Sequence, residues 1–433
     1  MNSIFLTQDD GKIIGTVAKL LGVIMNFIFD FIDNIGIPNI GLAIILFTIV
    51  VNLLMLPLTL KQQKFSKLSA KMNPEIQAIR DKYKGKTDNE STMLQNQEIQ
   101  LVYGKYGVSP SGSCLQLLIQ MPILFALYRV IYSMPAYVGK IKDAFSVLAE
   151  KIISTDNGDF LLNCNEGKIQ STVSMYGKNL TENNMSNGVI DVLNKLSSSD
   201  MEIISNHYGL ENLTHNGQLI LSNDVTEGLI DIYNNFLGLN IGNSPSYIVK
   251  EAFNEGAWLL VIGAIMIPLL SALTQWINVK LMPKQETNKK KHEESTMESS
   301  LSAMNKVMPL MSAWFCFTLP SGMGIYWITG SVVRGIIQVF TNKYLDRMDI
   351  DKIIKKNEVK NADQLEKMKK QQEIMNSYSN MSTKKIQSKS NYVNTNTSNN
   401  EISTNNNVKA KPGSMMAKAN MVKDFNERNN KNN

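Results

Sequence analysis

Arg334 is the residue in this sequence whose position most needs a chemical explanation, because it lies inside an apolar run, residues 322–341. A second run, 41–60, contains Asn52, and the two residues are matched in depth: Asn52 precedes Lys61 by nine residues and Arg334 precedes Lys343 by nine. At ~1.5 Å per helical residue, each sits roughly 13 Å from its basic boundary. Other polar residues join them: Gln116 and Gln120 in a third run, Gln275 and Asn278 in a fourth, and Thr48, Thr329, Ser331 and Gln338 beside the first two. A single amide within hydrocarbon can act as interhelical glue. A guanidinium there costs several kcal/mol unless it reaches water or an anion, and the runs contain no Asp or Glu to pair with it. The set therefore predicts a hydrated recess, open at one membrane face and closed by apolar residues at the other, that can hold a polar or acidic part of another molecule.

Catalysis finds little footing. His207, His215 and His292 stand in polar surroundings without an HExxH, and no phosphate-binding GxxxxGK[ST], GxGxxG or nucleophile-elbow motif is present. Cys114, Cys164 and Cys316 have no metal-ligand spacing. The expectation is a binding protein rather than an enzyme, with no cofactor and no metal.

The elements that must position these residues are membrane-spanning helices, since a bilayer core needs about 20 mostly apolar residues. The mean hydropathy of -0.12 hides them, averaging long apolar runs with tracts such as 391–407, rich in Asn, Thr and Ser. The sequence predicts an all-α polytopic membrane protein with five transmembrane helices and a cytoplasmic helical hairpin. The spans are 37–60, 113–134, 257–282, 305–320 and 321–343, the last two forming a hairpin at Leu319-Pro320-Ser321-Gly322. Segment 61–112 carries nine Lys and Arg and belongs in the cytoplasm; segment 135–256 is rich in acids and belongs outside. The loop 283–304 is again cytoplasmic. Residues 344–433 form a basic, largely disordered cytoplasmic tail, with helix to about Tyr378. Residues 1–36 form an external segment whose stripe of Asn26, Asp30 and Asp33 predicts an interfacial amphipathic helix over 17–35, a sixth span being the alternative. Leu68, Met72, Ile76, Ile79 and Tyr83, three or four apart, predict the buried face of the cytoplasmic hairpin.

Several stretches of this sequence resemble the YidC membrane-protein insertase family: GLAIILFT at 41–48, LPLTLKQQ at 56–63, YGKYGVSP at 103–110, LIQMPILFALY at 118–128 and LPSGMGIYW at 319–327. The resemblance implies an insertase and membrane chaperone of the bacterial cell membrane. It would act on nascent membrane proteins alone or beside the Sec translocon, without nucleotide or metal. The lack of a large domain before the first core helix resembles the Gram-positive form. One departure matters: family members usually carry an arginine where Asn52 stands, which makes Arg334 the candidate replacement. The external segment is also longer than is usual. The basic tail adds the ribosome, or anionic lipid of the bilayer, as a candidate partner. A small-solute transporter or channel is the competing class, although no internal repeat supports it.

The charge asymmetry generates a topology test. A hydrophilic probe should label a cysteine at position 223 from outside, and one at position 84 only after the membrane is opened. External labelling at 84 would overturn the five-span arrangement.

Overall fold

The first expected span begins where Asn39 accepts the Leu42 N–H at 3.0 Å, capping α2 (Ile40–Leu54). The computed structural model describes residues 11–86, 88–108, 112–176, 180, 185–222, 227–281, 296–363, 366–367, 369–370 and 373–374, apart from the side chains of 90, 112–120 and 296–306. Residues 1–372 form one unit; of the second, 373–433, only the helical 373 and 374 are described.

The architecture is all-α. Helix α1 (Ile14–Asn34) precedes α2, and the later apolar helices are α5 (Gly112–Tyr132), α13 (Trp258–Leu281), α14 (Thr296–Thr318) and α15 (Ser321–Asp346). By length and hydropathy α1, α13 and α15 can each cross a membrane, and α2 with its continuation α3 (Leu56–Lys82) counts as a fourth crossing. Stretches 121–132 and 307–318 of α5 and α14 are shorter apolar helices. Four packed pairs organise the bundle: α13 with α15, α13 with α14, α2 with α15, and α1 with α5.

Sequence explains where α2 stops. Pro57 lacks an N–H and crowds the preceding turn, so it sits in the first turn of a new helix, and α2 and α3 meet at Met55 with a 57° bend. The expected span 37–60 and hairpin 61–112 therefore meet at this bend, not in a loop. Helix α3 returns through α4 (Asn89–Tyr106), which is capped at one end by Asp88 and closed at the other by Gly107 in the left-handed region. Leu68, Met72, Ile76 and Tyr83 are buried along the hairpin, with Ile79 packed partly behind them.

The start of the tail packs on this hairpin. Helix α16 (Ile350–Lys360) buries Ile354 among Leu68, Met72, Ile76, Val102 and Tyr106, with Ile350 and Ile353 packed alongside. Asn357 and Asn361 donate to the carbonyls of Tyr106 and Gly104, at 2.8 and 3.0 Å, which lie in the last turn of α4. Lys67–Asp346 and Lys71–Asp351 pair at 2.5 Å each on the surface. The tail thus begins with helix, as expected, but this helix is docked; Ile350, Ile353 and Ile354 make an apolar stripe too short to announce a partner in a basic sequence. Tail residues 375–433 lie outside the described residues.

Segment 135–256 is built of short helices, α6 (Gly139–Asp156), α7 (Asp159–Asn163), α8 (Ile169–Tyr176), α9 (Met185–Leu193), α10 (Ser198–Tyr208), α11 (Leu229–Asn234) and α12 (Pro245–Asn254). Two small hairpins accompany them: β1 (Thr214–His215) with β2 (Gln218–Leu219), and β3 (Asn235–Phe236) with β4 (Leu239–Asn240). Leu148, Ile152, Leu161, Ile190 and Leu193 form its interior, which is continuous with the buried faces of α1, α2, α5 and α15. The polar stripe of α1 faces this segment. Asn26 accepts the Gly139 N–H at 2.8 Å and donates to Asp30, and Asp33 pairs with Lys140. The other side of α1 exposes Leu20, Val23, Phe27 and Phe31.

The docking of α16 can be tested by its energetics. Burying the Ile354 side chain contributes about 1.5–3 kcal/mol, whereas exposed ion pairs contribute about 0–1 kcal/mol each. Ile354→Asp should accelerate limited proteolysis at the 83–89 turn several-fold, while Asp346→Asn with Asp351→Asn should change it little. Equal effects would show that charge, not burial, holds the helix.

Candidate functional site

Ser331, Arg334, Gln338 and Asn342 succeed one another at three- and four-residue steps, so they line one face of α15. Ser331 is buried at 1% exposure, yet its hydroxyl is fully engaged. It donates to Gln275 Oε1 on α13 at 3.1 Å and accepts from Arg334 Nη2 at 3.2 Å. Asn278, one turn along α13, donates to the Ser331 carbonyl at 2.8 Å. The α13–α15 contact is thus a polar cluster inside two helices otherwise made of apolar residues.

Arg334 is the exposed member of the cluster. Its side chain runs back one turn toward the start of α15, following the normal tilt of helical side chains. The bare α-carbon of Gly330 leaves it room: a Cβ there would lie 3.0 Å from Nη1. Ser331 Oγ is its one hydrogen-bond acceptor among the described residues, where no carboxylate pairs with it. A guanidinium has five N–H donors, so most of its capacity is directed to whatever occupies the adjoining space.

Further along the same face, Gln338 and Gln63 exchange amide hydrogen bonds of 2.6 and 3.1 Å. Gln338 also donates to Asn342 at 2.7 Å, and Asn342 donates to the carbonyl of Leu281 at 3.1 Å. Gln63 reaches this position because the bend at Met55 turns α3 toward α15. The end of the polar face is thereby tied to both the hairpin and α13.

Of the residues expected to share the site, Arg334, Ser331, Gln275 and Asn278 form one network, while Gln338, further along the same face, is bonded to Gln63 and Asn342. Thr48 is fully buried and returns its hydroxyl to the Ile44 carbonyl at 2.6 Å. Asn52 donates to the Thr48 carbonyl at 2.7 Å, so among the described residues Asn52 and Arg334 are bonded each within its own helix and not to one another. The reason is local: a short amide in a helix finds the carbonyl four residues back. Thr329 is half-buried one turn from Ser331's neighbours on α15. Gln116 and Gln120 belong to α5, and their side chains lie outside the described residues. Sequence reasoning missed Gln63 and Asn342, which sit at the basic boundaries where polar residues look ordinary. It also missed the buried junction of α13 and α14, where Ser271 and Ser312 meet at 2.5 Å and Cys316 donates to Ser271 at 3.2 Å.

Around the α3–α4 hairpin, ionisable groups are paired. Lys105 pairs with Glu75 at 3.0 Å, and Tyr106 donates to the same carboxylate at 2.7 Å. Burial, then the bond to Glu75, pushes the Tyr106 phenol's pKa up, keeping it a donor.

With this geometry in view, comparison with known proteins is informative. Residues 31–349 match the family described as 60Kd inner membrane protein. The chain is 33% identical over 170 residues to the membrane protein insertase YidC of Bifidobacterium longum, covering 36% of this chain and 51% of that protein. It is 38% identical over 117 residues to the YidC insertase of Fusobacterium nucleatum, covering 27% and 54%. With the membrane protein insertase MisCA of Bacillus subtilis it shares 44% identity over 93 residues, covering 22% and 35%. The chain spans about half the length of the first two relatives. The match across both the α2–α5 region and the α13–α15 bundle places this all-α, multi-pass membrane chain in the 60Kd inner membrane protein family, that of the YidC insertases.

Proposed function

We propose that the chain is a membrane protein insertase whose working group is Arg334. The observation that carries this reading is a guanidinium within a membrane helix, exposed, with one hydrogen bond to Ser331 and no carboxylate partner among the described residues. Such a group is tolerable only beside water or an anion. The polar face of α15, with Asn52 on α2 and Gln275 and Asn278 on α13, would line a recess open to the cytoplasm. The guanidinium lies about one turn, ~5 Å, further from the basic boundary than its own α-carbon, which argues against snorkelling to inner-leaflet phosphates.

In this reading, an acidic or polar external segment of a nascent membrane protein enters the recess from the cytoplasmic side and is held by the spare donors of Arg334. The adjoining apolar segment then moves sideways into lipid. Transfer of its apolar surface out of water supplies the drive, so no ATP is needed. The hairpin α3–α4, joined to α15 through Gln63 and Gln338, stands where an incoming chain first meets the protein. The N-terminus and external segment face outward and the C-terminus inward, α1 lying along the outer interface. The Sec translocon is a partner for larger substrates. The basic tail, with net charge about +7 from residue 345 onward, suits ribosomal RNA or anionic lipid.

The test uses substrates with acidic external segments in proteoliposomes. Arg334→Ala should lower insertion at least several-fold, Arg334→Lys should retain part of it, and Asn52→Arg with Arg334→Ser should restore it. Gly330→Val keeps the charge but displaces the guanidinium, and it should also reduce insertion. Full activity of Arg334→Ala in a folded protein would refute the assignment; solute uptake without insertion would favour a transporter.

Deleting the hairpin, residues 65–104, should leave a membrane-integrated protein that inserts poorly. Undiminished insertion would remove the hairpin from the pathway.

A further inference from the structure

The external segment contains two hairpins of nearly the same backbone and opposite chemistry. In the first, β1–β2, the two turn residues are Asn216 and Gly217, with φ of 51° and 82°. In the second, β3–β4, they are Leu237 and Gly238, with φ of 54° and 81°. Both are left-handed two-residue turns, and Asn-Gly is the ordinary choice there because Asn and Gly tolerate positive φ. Leucine does not, since its Cβ crowds the carbonyl. Leu237 is nonetheless 87% exposed, so no packing within the protein compensates for its conformation. The flanks differ in the same sense: Thr214, His215 and Gln218 around the first turn, Phe236 and Leu239 around the second.

Position separates the two further. The β3–β4 hairpin is wedged against the starts of membrane helices. The Phe236 ring lies on Gly41 of α2, within 2.5 Å of where a Cβ would stand, and Leu239 lies 3.5 Å from the equivalent point on Gly263 of α13. Asn39 donates to the Asn235 carbonyl at 2.6 Å. Just beyond β4, the carbonyls of Ile241 and Asn243 accept the N–H groups of Gly322 and Ser321 at 3.0 and 2.8 Å, satisfying the first turn of α15. Gly263 is five residues into α13, so Leu239 meets that helix ~7 Å below Trp258. Trp258 packs edge-on against Phe253 with ring centroids 5.3 Å apart, an aromatic pair of the kind found at bilayer interfaces. Leu259 and Ile262 on the same stretch of α13 are exposed at 86% and 58%. The exposed leucine of the turn is thus two residues from the contact of its hairpin with a membrane-length helix whose own surface is apolar.

We propose that the Leu237–Gly238 turn is seated among the acyl chains of the leaflet beside the start of α13, so that the external segment is a membrane-inserted cap whose partner is lipid. Lipid is the occupant that the position favours, because the hairpin meets α13 below an interfacial tryptophan, where the surface of α13 is apolar. The inference rests on the membrane character of α13 and is independent of the insertase reading.

The full chain in liposomes tests it. With Cys114, Cys164 and Cys316 changed to Ser, Leu237→Cys and Asn216→Cys would each be labelled with nitrobenzoxadiazole. The label at 237 should emit further to the blue, be quenched several-fold more by lipids spin-labelled near the top of the acyl chain, and be quenched several-fold less by iodide. Equal iodide quenching at the two sites would overturn the proposal, as would protection at 237 from both quenchers, which would mean that protein covers it. A second measurement keeps all cysteines. Leu237→Asn restores the ordinary turn residue and should raise Tm if the turn is solvated. A Tm in liposomes that is unchanged or lowered is the expected result; a raised one would refute lipid contact.

Discussion

Hydrocarbon offers no hydrogen bonds, and that constraint orders every polar group in the bundle. Ser271, Ser312 and Cys316 satisfy one another between α13 and α14; Thr48 and Asn52 fall back on carbonyls of their own helix. Ser331 bridges Gln275 and Arg334, and the amides of Gln63, Gln338 and Asn342 form a chain that ends on the Leu281 carbonyl. After these pairings, Arg334 is the group whose demand its protein neighbours meet least. Rigid helices pack around a guanidinium left with one acceptor among the described residues, and the proposed function assigns its spare donors to substrate.

The bundle and its cytoplasmic parts are connected by the same kind of economy. One proline turns α2 into α3, so the hairpin inherits its direction from a membrane helix without an intervening flexible loop. Gln63, just past the bend, then contacts α15. On the far side, burial of Ile354 returns the chain from the end of α15 to the hairpin. Apolar burial dominates this second attachment because the ion pairs around it are exposed.

Much of this arrangement was legible in the sequence, for reasons specific to each part. The spans were legible because apolar runs of bilayer length have few other uses, and the hairpin because Leu68, Met72 and Ile76 repeat every four residues. Arg334 was conspicuous through the rarity of charge in such runs. Its actual partners were not legible: depth along a helix can be counted, but the angle about its axis decides whether Asn52 or Ser331 is the neighbour. Gln63 was hidden by the bend, which swings it from the apparent rim of one span to the flank of another. Helix was expected in the tail to about Tyr378, but the docking of α16 was not legible, because three isoleucines among lysines carry a weak signal until a partner surface exists. Segment 135–256 offered neither a fold nor a clue to its seating, which depends on small residues at the starts of three separate helices.

The attachment of α16 also has a mechanical consequence. Helices α2 and α15 are packed side by side; α3 leaves the first through a single bend, and α16 leaves the second through the short link at 347–349 and clasps the same hairpin. These four pieces make a closed linkage with two joints. The hairpin cannot swing about Met55 alone, since any rotation there must be matched at residues 347–349 or must pull Ile354 from its socket. A load applied to the tail is transmitted to the base of α15, about two helical turns from Gln338, and a load on the hairpin tip reaches the same place through α3. Two separate handles therefore act on one fulcrum.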